Sequence, residues 1–301
     1  PDYTIVHKQD VYMKKKYVAE KSDGLLQEAY ERHFDGREYL DHRCRLFLIF
    51  SSKKNVRGAS SGLLGISAGG SMPQAEVLAR SAAMAEQFAT VVQGCGLLEM
   101  RRLTEDDIFG VGDFPGLIQD YLNFTDEGED VLSDIQMRRD RVRTGDRYIG
   151  CHLIADLDQL PAEVASCRKV TSLSTDSSAV NLSFLNEIGQ ELDCEHIVNH
   201  FILKEPLKDI HGELDTRRRQ MLSMSARSAE NRMYSEELNE FLEETATEQV
   251  HTVRFHINVL ASGTADEFES VKDKVVSAVS RMGVTPVYDI YDTPCQFWAS
   301  I

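Results

Sequence analysis

The most regular pattern in this chain lies near its end, and it restricts the architectures open to the rest. Over residues 251–260 the apolar Val253, Phe255, Ile257 and Val259 alternate with polar residues, the period of a strand with one buried face. Thr264-Ala265-Asp266-Glu267 then has the form of a capping box. Phe268, Val271, Val275, Val279 and Met282 follow at helical spacing, and the helix ends at Gly283. A further strand over 286–291 closes a β-α-β unit. Such a unit buries its apolar stripe only as part of a layered core of sheet and helices.

The same alternation of elements is legible upstream. Two β-type runs, 3–13 and 43–50, flank a helical stretch from about Gly24 to His33. Pro73 sits near the start of a helix expected to turn Val77, Met84, Phe88 and Val91 inward and to stop at Gly94-Cys95-Gly96, after which a strand over 97–103 returns to the sheet. Residues 104–124 read as helical or irregular, with Pro115 opening Gly116 to Tyr121, and strands are expected at 147–154, 180–185 and 196–203. From Pro206 to about Thr247 the pattern is a long polar helix, broken near Tyr234-Ser235, basic in its first half and acidic in its second. In the second half Leu238, Phe241, Leu242 and Thr245 form one face.

The expected fold is therefore α+β. It has two lobes of small mixed or antiparallel sheets with packed helices, and a β-rich middle segment. The first lobe is expected over 1–145, with a Gly/Ser-rich insertion at 51–72, and the second over 146–301.

Composition narrows the function classes. With 301 residues and 42% hydrophobic content the chain has material for a substantial core. The 33 Lys and Arg stand against 49 Asp and Glu, a formal charge of -16 that repels nucleic acid and anionic lipid unless a local basic patch intervenes. Six dispersed cysteines without a C-x-x-C pair suit a reducing compartment. The longest apolar run, Leu46 to Phe50, is far below the ~20 residues of a membrane span, and no charged-then-apolar signal segment opens the chain. Because the sequence passes from Pro1 directly into a strand-like run, it reads as an excised or processed segment.

Four motifs carry possible chemistry. Gly65-Ile66-Ser67-Ala68-Gly69 fits the G-x-S-x-G nucleophile elbow of a Ser hydrolase, but no strand of usable length delivers Ser67 and Gly69 to Pro73 separates it from the next helix. A surface loop is the favoured reading, and a hydrolase using Ser67 is kept as the competing one. A phosphate-binding P-loop needs a Gly-Lys pair, which the sequence lacks, and Gly110-Val111-Gly112 with Gly116 has the spacing of a turn. Cys194, His196 and His200 would share one face of a strand and are metal-capable, against a bland reading as a partly buried sheet face. Arg217, Arg218, Arg219, Arg227 and Arg232 could meet nucleic acid or an acidic partner, but no aromatic residues interleave them, and a solvated face paired with the acidic half is favoured. No catalytic, cofactor-binding or metal-binding residue is assigned.

Several stretches resemble one family when taken as a set. These are residues 1–10 from Pro1 to Asp10, Tyr30-Glu31-Arg32-His33-Phe34, Arg101-Arg102-Leu103-Thr104, Pro115-Gly116-Leu117-Ile118, Leu173-Ser174-Thr175-Asp176 and Phe297-Trp298-Ala299. They resemble the N-terminal region of TraG-type conjugative transposon ATPases, the large ATPases of conjugation and type IV secretion, along nearly the whole chain and in the right order. The Gly/Ser-rich 58–71 departs from that pattern and reads as a linker-like insertion. The resemblance implies a docking and assembly region. ATP and Mg would be bound only by a C-terminal domain beyond these residues. It also implies a cytoplasmic place against the inner membrane, contacts with secretion components and with the chain's own ATPase domain, and a homo-oligomer, a hexamer by the family's habit. Direct DNA contact is left open.

Overall fold

The computed structural model describes residues 3–21, 24–51, 75–96, 99–112, 114–124, 133–155, 160, 168–169, 171, 174–175, 177–178, 181–182, 186–225, 228–248 and 253–301. In chain order its first half holds β1 (Tyr3–Lys16), α1 (Leu25–Phe34), β2 (Glu38–Ser51), α2 (Ala75–Gly94), α3 (Glu105–Phe109), β3 (Gly110–Val111), β4 (Phe114–Pro115), α4 (Leu117–Asn123), β5 (Ile135–Arg138), β6 (Arg141–Thr144) and β7 (Arg147–Leu153). The second half adds β8 (Arg168–Lys169), β9 (Asn181–Leu182), α5 (Asn186–Glu191), β10 (His196–Lys204), α6 (Leu207–Met224), α7 (Ala229–Glu248), β11 (Val253–Thr264), α8 (Phe268–Arg281), β12 (Val287–Tyr288) and α9 (Thr293–Ala299). The fold is α+β with a mostly antiparallel sheet, in the strand order β2-β1-β10-β11-β7-β6-β5, and β12 beside β7. No helix among the described residues is long and apolar enough to cross a membrane.

Two compact units emerge, and neither is continuous in sequence. One collects Pro1–His7, Phe47–Met100 and Phe201–Phe255, the other Lys8–Leu46, Arg101–His200 and His256–Ile301. The boundary expected at 145/146 falls in the tight turn between β6 and β7, which pair on either side of it through Thr144 and Arg147. A Thr-Gly-Asp sequence marks a hairpin as readily as a linker, and here Gly145 takes the positive φ of 57° that such a turn needs.

The larger unit is a sheet with a core on each face. One face carries Tyr12, Val198, Ile257, Val259 and Ala261 beneath Val271, Val275, Ala278 and Val279 of α8 and Ile188 of α5. The opposite face carries Val11, Met13, Ile149, Cys151, Ile197 and Leu260, covered by Tyr121 of α4 and Phe297 of α9. Alternation along a strand sends neighbours to opposite faces, so β11 is buried continuously from Ile257 to Gly263. The one-sided strand expected there is corrected: Val253 and Phe255 are exposed, and the buried run begins at Ile257, partway through the alternating stretch. Helix α8 turns Phe268, Val271, Val275 and Val279 inward as its spacing requires, and Thr264 and Glu267 bond to each other just before it.

The smaller unit contains α2, α6 and α7 with short segments of four strands. In its helical region α6 ends at Met224 and α7 begins at Ala229, and α7 runs unbroken through Tyr234-Ser235, where the break had been expected. Ser228 accepts a hydrogen bond from the Asn231 amide at 3.4 Å and caps α7, whereas Ser235 is buried inside that helix. Leu238, Leu242 and Thr245 turn to the buried side of α7, but Phe241 lies outside it. Residues 99–104 are not a strand, although 97 and 98 lie outside the described residues. The strands expected at 180–185 and 286–291 are described only at 181–182 and 287–288.

One glycine cluster shows its structural purpose. Gly110 and Gly112 have φ of 82° and 59° at the β3–β4 turn, and a Cβ on Gly116 would stand 2.3–2.5 Å from the backbone of Ile108, Phe109 and Gly110. Backbone cannot swing aside as a side chain can. Gly116→Ala is expected to destabilise the protein by ~2 kcal/mol in urea unfolding. Gly212→Ala, inside α6 with nothing within 4 Å of the added carbon, should instead stabilise it by about 0.5–1 kcal/mol.

Candidate functional site

Burial on both faces obliges the polar side chains of the central strands to satisfy one another. On the α9 side of the larger unit, Gln9, Asn199 and Asn258 are fully buried on three adjacent strands. Gln9 Nε2 donates to the Ser300 carbonyl at 2.6 Å and to Asn199 Oδ1 at 3.3 Å. Asn199 Nδ2 donates to Asn258 Oδ1 at 2.8 Å, and Asn258 Nδ2 donates to Gln296 Oε1 at 3.1 Å. Arg45 Nη1 closes the other end on Gln9 Oε1 at 3.3 Å. The result is a directional row of amides that fixes α9 on the sheet. It is a positioning device, and His256 Nε2 also lies 3.2 Å from Gln296 Oε1.

The opposite face gathers the histidines singled out in the sequence. The ring of Tyr12 lies between His42 and His196, with centroids 4.4 and 4.5 Å away and planes within 11° of parallel. Asp10 accepts from His42 Nε2 at 3.1 Å and from Lys8. Burial alone would raise its carboxyl, but those hydrogen bonds and charges outweigh it and hold Asp10 at about 2. His196 donates from Nδ1 to the Cys194 carbonyl at 2.7 Å, and its Nε2 is buried without a hydrogen bond.

Cys194 therefore presents its carbonyl to His196, while burial raises its thiol to about 11, too high to supply a thiolate readily. Cys194, His196 and His200 are all buried, but among the described residues no three His, Cys, Asp or Glu groups are placed to hold a metal ion.

The remaining sequence candidates divide in the same way. Ser67, with the whole Gly/Ser-rich stretch 58–71, lies outside the described residues, as does Arg227. Arg218 and Arg219 bond to Asp215 of their own helix, at 2.8 and 2.6 Å, where pairing with the acidic half had been expected. Residues three and four apart on a helix are nearest neighbours, which gives Asp215 the advantage over a second helix.

A different feature was misread from the sequence. Helix α2 has no buried residue; it half-buries Ser81, Met84, Ala85, Phe88, Ala89 and Val92, and leaves Val77, Leu78 and Val91 exposed by 44%, 56% and 64%. Val77 and Val91 thus stand outside the face assigned to them, which small alanines and Val92 occupy instead. Val77 and Leu78 lie near one end of α2 and Val91 about 20 Å further along it, so apolar side chains reach water at both ends of the helix.

The buried histidines carry a pH signature. Burial, reinforced by nearby charge, lowers both His196 and His152 from 6.5 to about 4; for His196 the bond to Cys194 opposes this only in part. His152 has no hydrogen-bond partner at either ring nitrogen. The unfolded chain takes up protons near 6.5 and the folded chain resists until about 4, so this stability is complete above 6.5 and lost as pH falls through that interval. Each histidine contributes roughly 3 kcal/mol to the change. Asp10 acts only lower, between 3.8 and about 2. The urea midpoint is expected to drop steadily between these histidine limits, and His152→Phe should remove about half of the slope; a flat midpoint would contradict the assignment.

In comparisons with known proteins, the chain matches no family model and no curated protein.

Proposed function

We propose that these residues form a non-catalytic docking and assembly region of a conjugative-transfer ATPase of the TraG type, which links the motor to the DNA-transfer apparatus. The observation that carries the reading is the exposure of the apolar Val77, Leu78 and Val91 on α2, a helix that buries none of its twenty residues. In this reading α2 receives a protein of the secretion apparatus at the inner membrane. ATP and Mg belong to a nucleotide-binding domain that follows residue 301, and the full-length protein works as a homo-oligomer on the cytoplasmic side. The resemblance of the quoted stretches to the family supports the identity of the motor, and the acidic charge of -16 supports protein partners over nucleic acid.

The test uses the full-length protein in donor cells. Leu78→Asp combined with Val91→Asp is expected to lower DNA transfer at least tenfold and to abolish co-purification with the inner-membrane components, while the ATP turnover of the purified protein stays within about twofold of the original. Undiminished transfer by that variant would overturn the proposal, and so would sustained ATP turnover by residues 1–301 alone.

A further inference from the structure

In a chain of such negative charge, the cations that face one another on the β5–β7 hairpin stand out. The pairing Gln136↔Arg143, Arg138↔Arg141 and Arg143↔Tyr148 brings these five residues to one face of three adjacent strands. With Phe268 and Glu269 of α8 they line a cavity of about 260 Å³. Like charges opposite one another in a sheet repel, so three guanidiniums on one face weaken the hairpin unless something negative joins them.

Among the described residues, the chain's own carboxylates do not fill that role. Glu269 is engaged by Lys272 at 2.9 and 3.1 Å, and Asp140 reaches only Arg141, at 3.7 Å. Arg138 and Arg143 have no carboxylate within 4 Å among the described residues. Arg141 Nε is closed off from solvent and donates no hydrogen bond among the described residues.

The guanidiniums are nonetheless held in place. Arg141 lies 5.7 Å from the Tyr148 ring centre and 6.0 Å from that of Phe268, and Arg143 lies 5.7 Å from Tyr148. Arg143 also donates from Nε to the Gly145 carbonyl at 2.8 Å, which leaves its terminal nitrogens for another acceptor. Stacked guanidinium forks with open N–H groups match phosphate oxygens two at a time. The cavity is slightly below the ~300–1,000 Å³ of ordinary small-molecule sites, and the charge of the whole chain opposes a long polyanion. The geometry points to a binding site for a compact, multiply charged phosphate of the phosphoanhydride class, whether inorganic or at the end of a small metabolite. It is independent of the docking function proposed above.

Titration calorimetry of the 301-residue protein with inorganic pyrophosphate at low salt tests the site. Saturable binding is expected, several-fold weaker when salt rises from about 50 to 200 mM. Arg138→Gln with Arg143→Gln should weaken it at least tenfold, whereas Arg217→Gln with Arg219→Gln should leave it unchanged. Both pairs lie on partly or fully exposed side chains, and an unaltered far-UV spectrum and unfolding midpoint would establish that each variant is folded. Orthophosphate binding weaker than pyrophosphate is expected for a site that engages two phosphates. No saturable heat up to about 1 mM pyrophosphate, equal affinity in the hairpin variant, or preferential binding of a single-stranded oligonucleotide through the same arginines would each overturn the assignment.

Discussion

A strand covered on both faces has no solvent side on which to place a polar residue, and β10 and β11 of the larger unit are covered in this way. Their Asn199 and Asn258 are tolerated because Gln9, Gln296 and the Ser300 carbonyl complete the row. Loss of one amide would strand its neighbours, at about 1–3 kcal/mol for each buried group left unpaired. The row also selects register: each amide meets its partner only when the strands are aligned as observed, because a slip by one residue would turn it to the other face. The apolar cores supply the bulk of the burial, and the amides determine which of several apolar alignments is adopted.

That division explains what could be read from the residues alone. Helix α8 was legible because a single sequence-local rule, apolar residues at helical spacing behind Thr264 and Glu267, governs it. The strands at 147–153 and 196–204 were legible from their apolar content. The β5–β6 hairpin was not, since Ile135–Arg138 and Arg141–Thr144 are short and rich in arginine, with little apolar content to distinguish them. Gln9 and Asn199 stand 190 positions apart, and no local pattern announces a hydrogen bond across that separation. The same limit applies to the candidate surfaces: the apolar content of α2 was visible, but which side faced water depended on alanines that spacing arguments pass over.

Several suggestive motifs resolve into scaffold. Gly110, Gly112 and Gly116 permit a close backbone crossing, and Thr104 and Asp107 build a reciprocal cap on α3, with Arg101 clamped on the same carboxylate at 2.6 and 2.9 Å. Phe297 of α9 lies fully buried against the sheet. Fold-bearing residues of this kind hold a shape; they do not identify a reaction. Surfaces and charge therefore weigh more heavily in the functional reading of this chain than any constellation of reactive groups.

The interleaving of the two units has a bearing on how the protein is made. The smaller unit takes its last segment at Phe255 and the larger at Ile301, while both begin in β1. At a synthesis rate of about 5–20 residues per second, the first strand leaves the ribosome many seconds before its eventual neighbour β10 exists. During that interval Gln9, Val11 and Met13 have no finished core to enter. The bond from Gln9 to Ser300, across 291 positions, can form only once Ser300 has been synthesised. Folding of the larger unit is thus dominated by long-range pairing and slow by the measure of contact order.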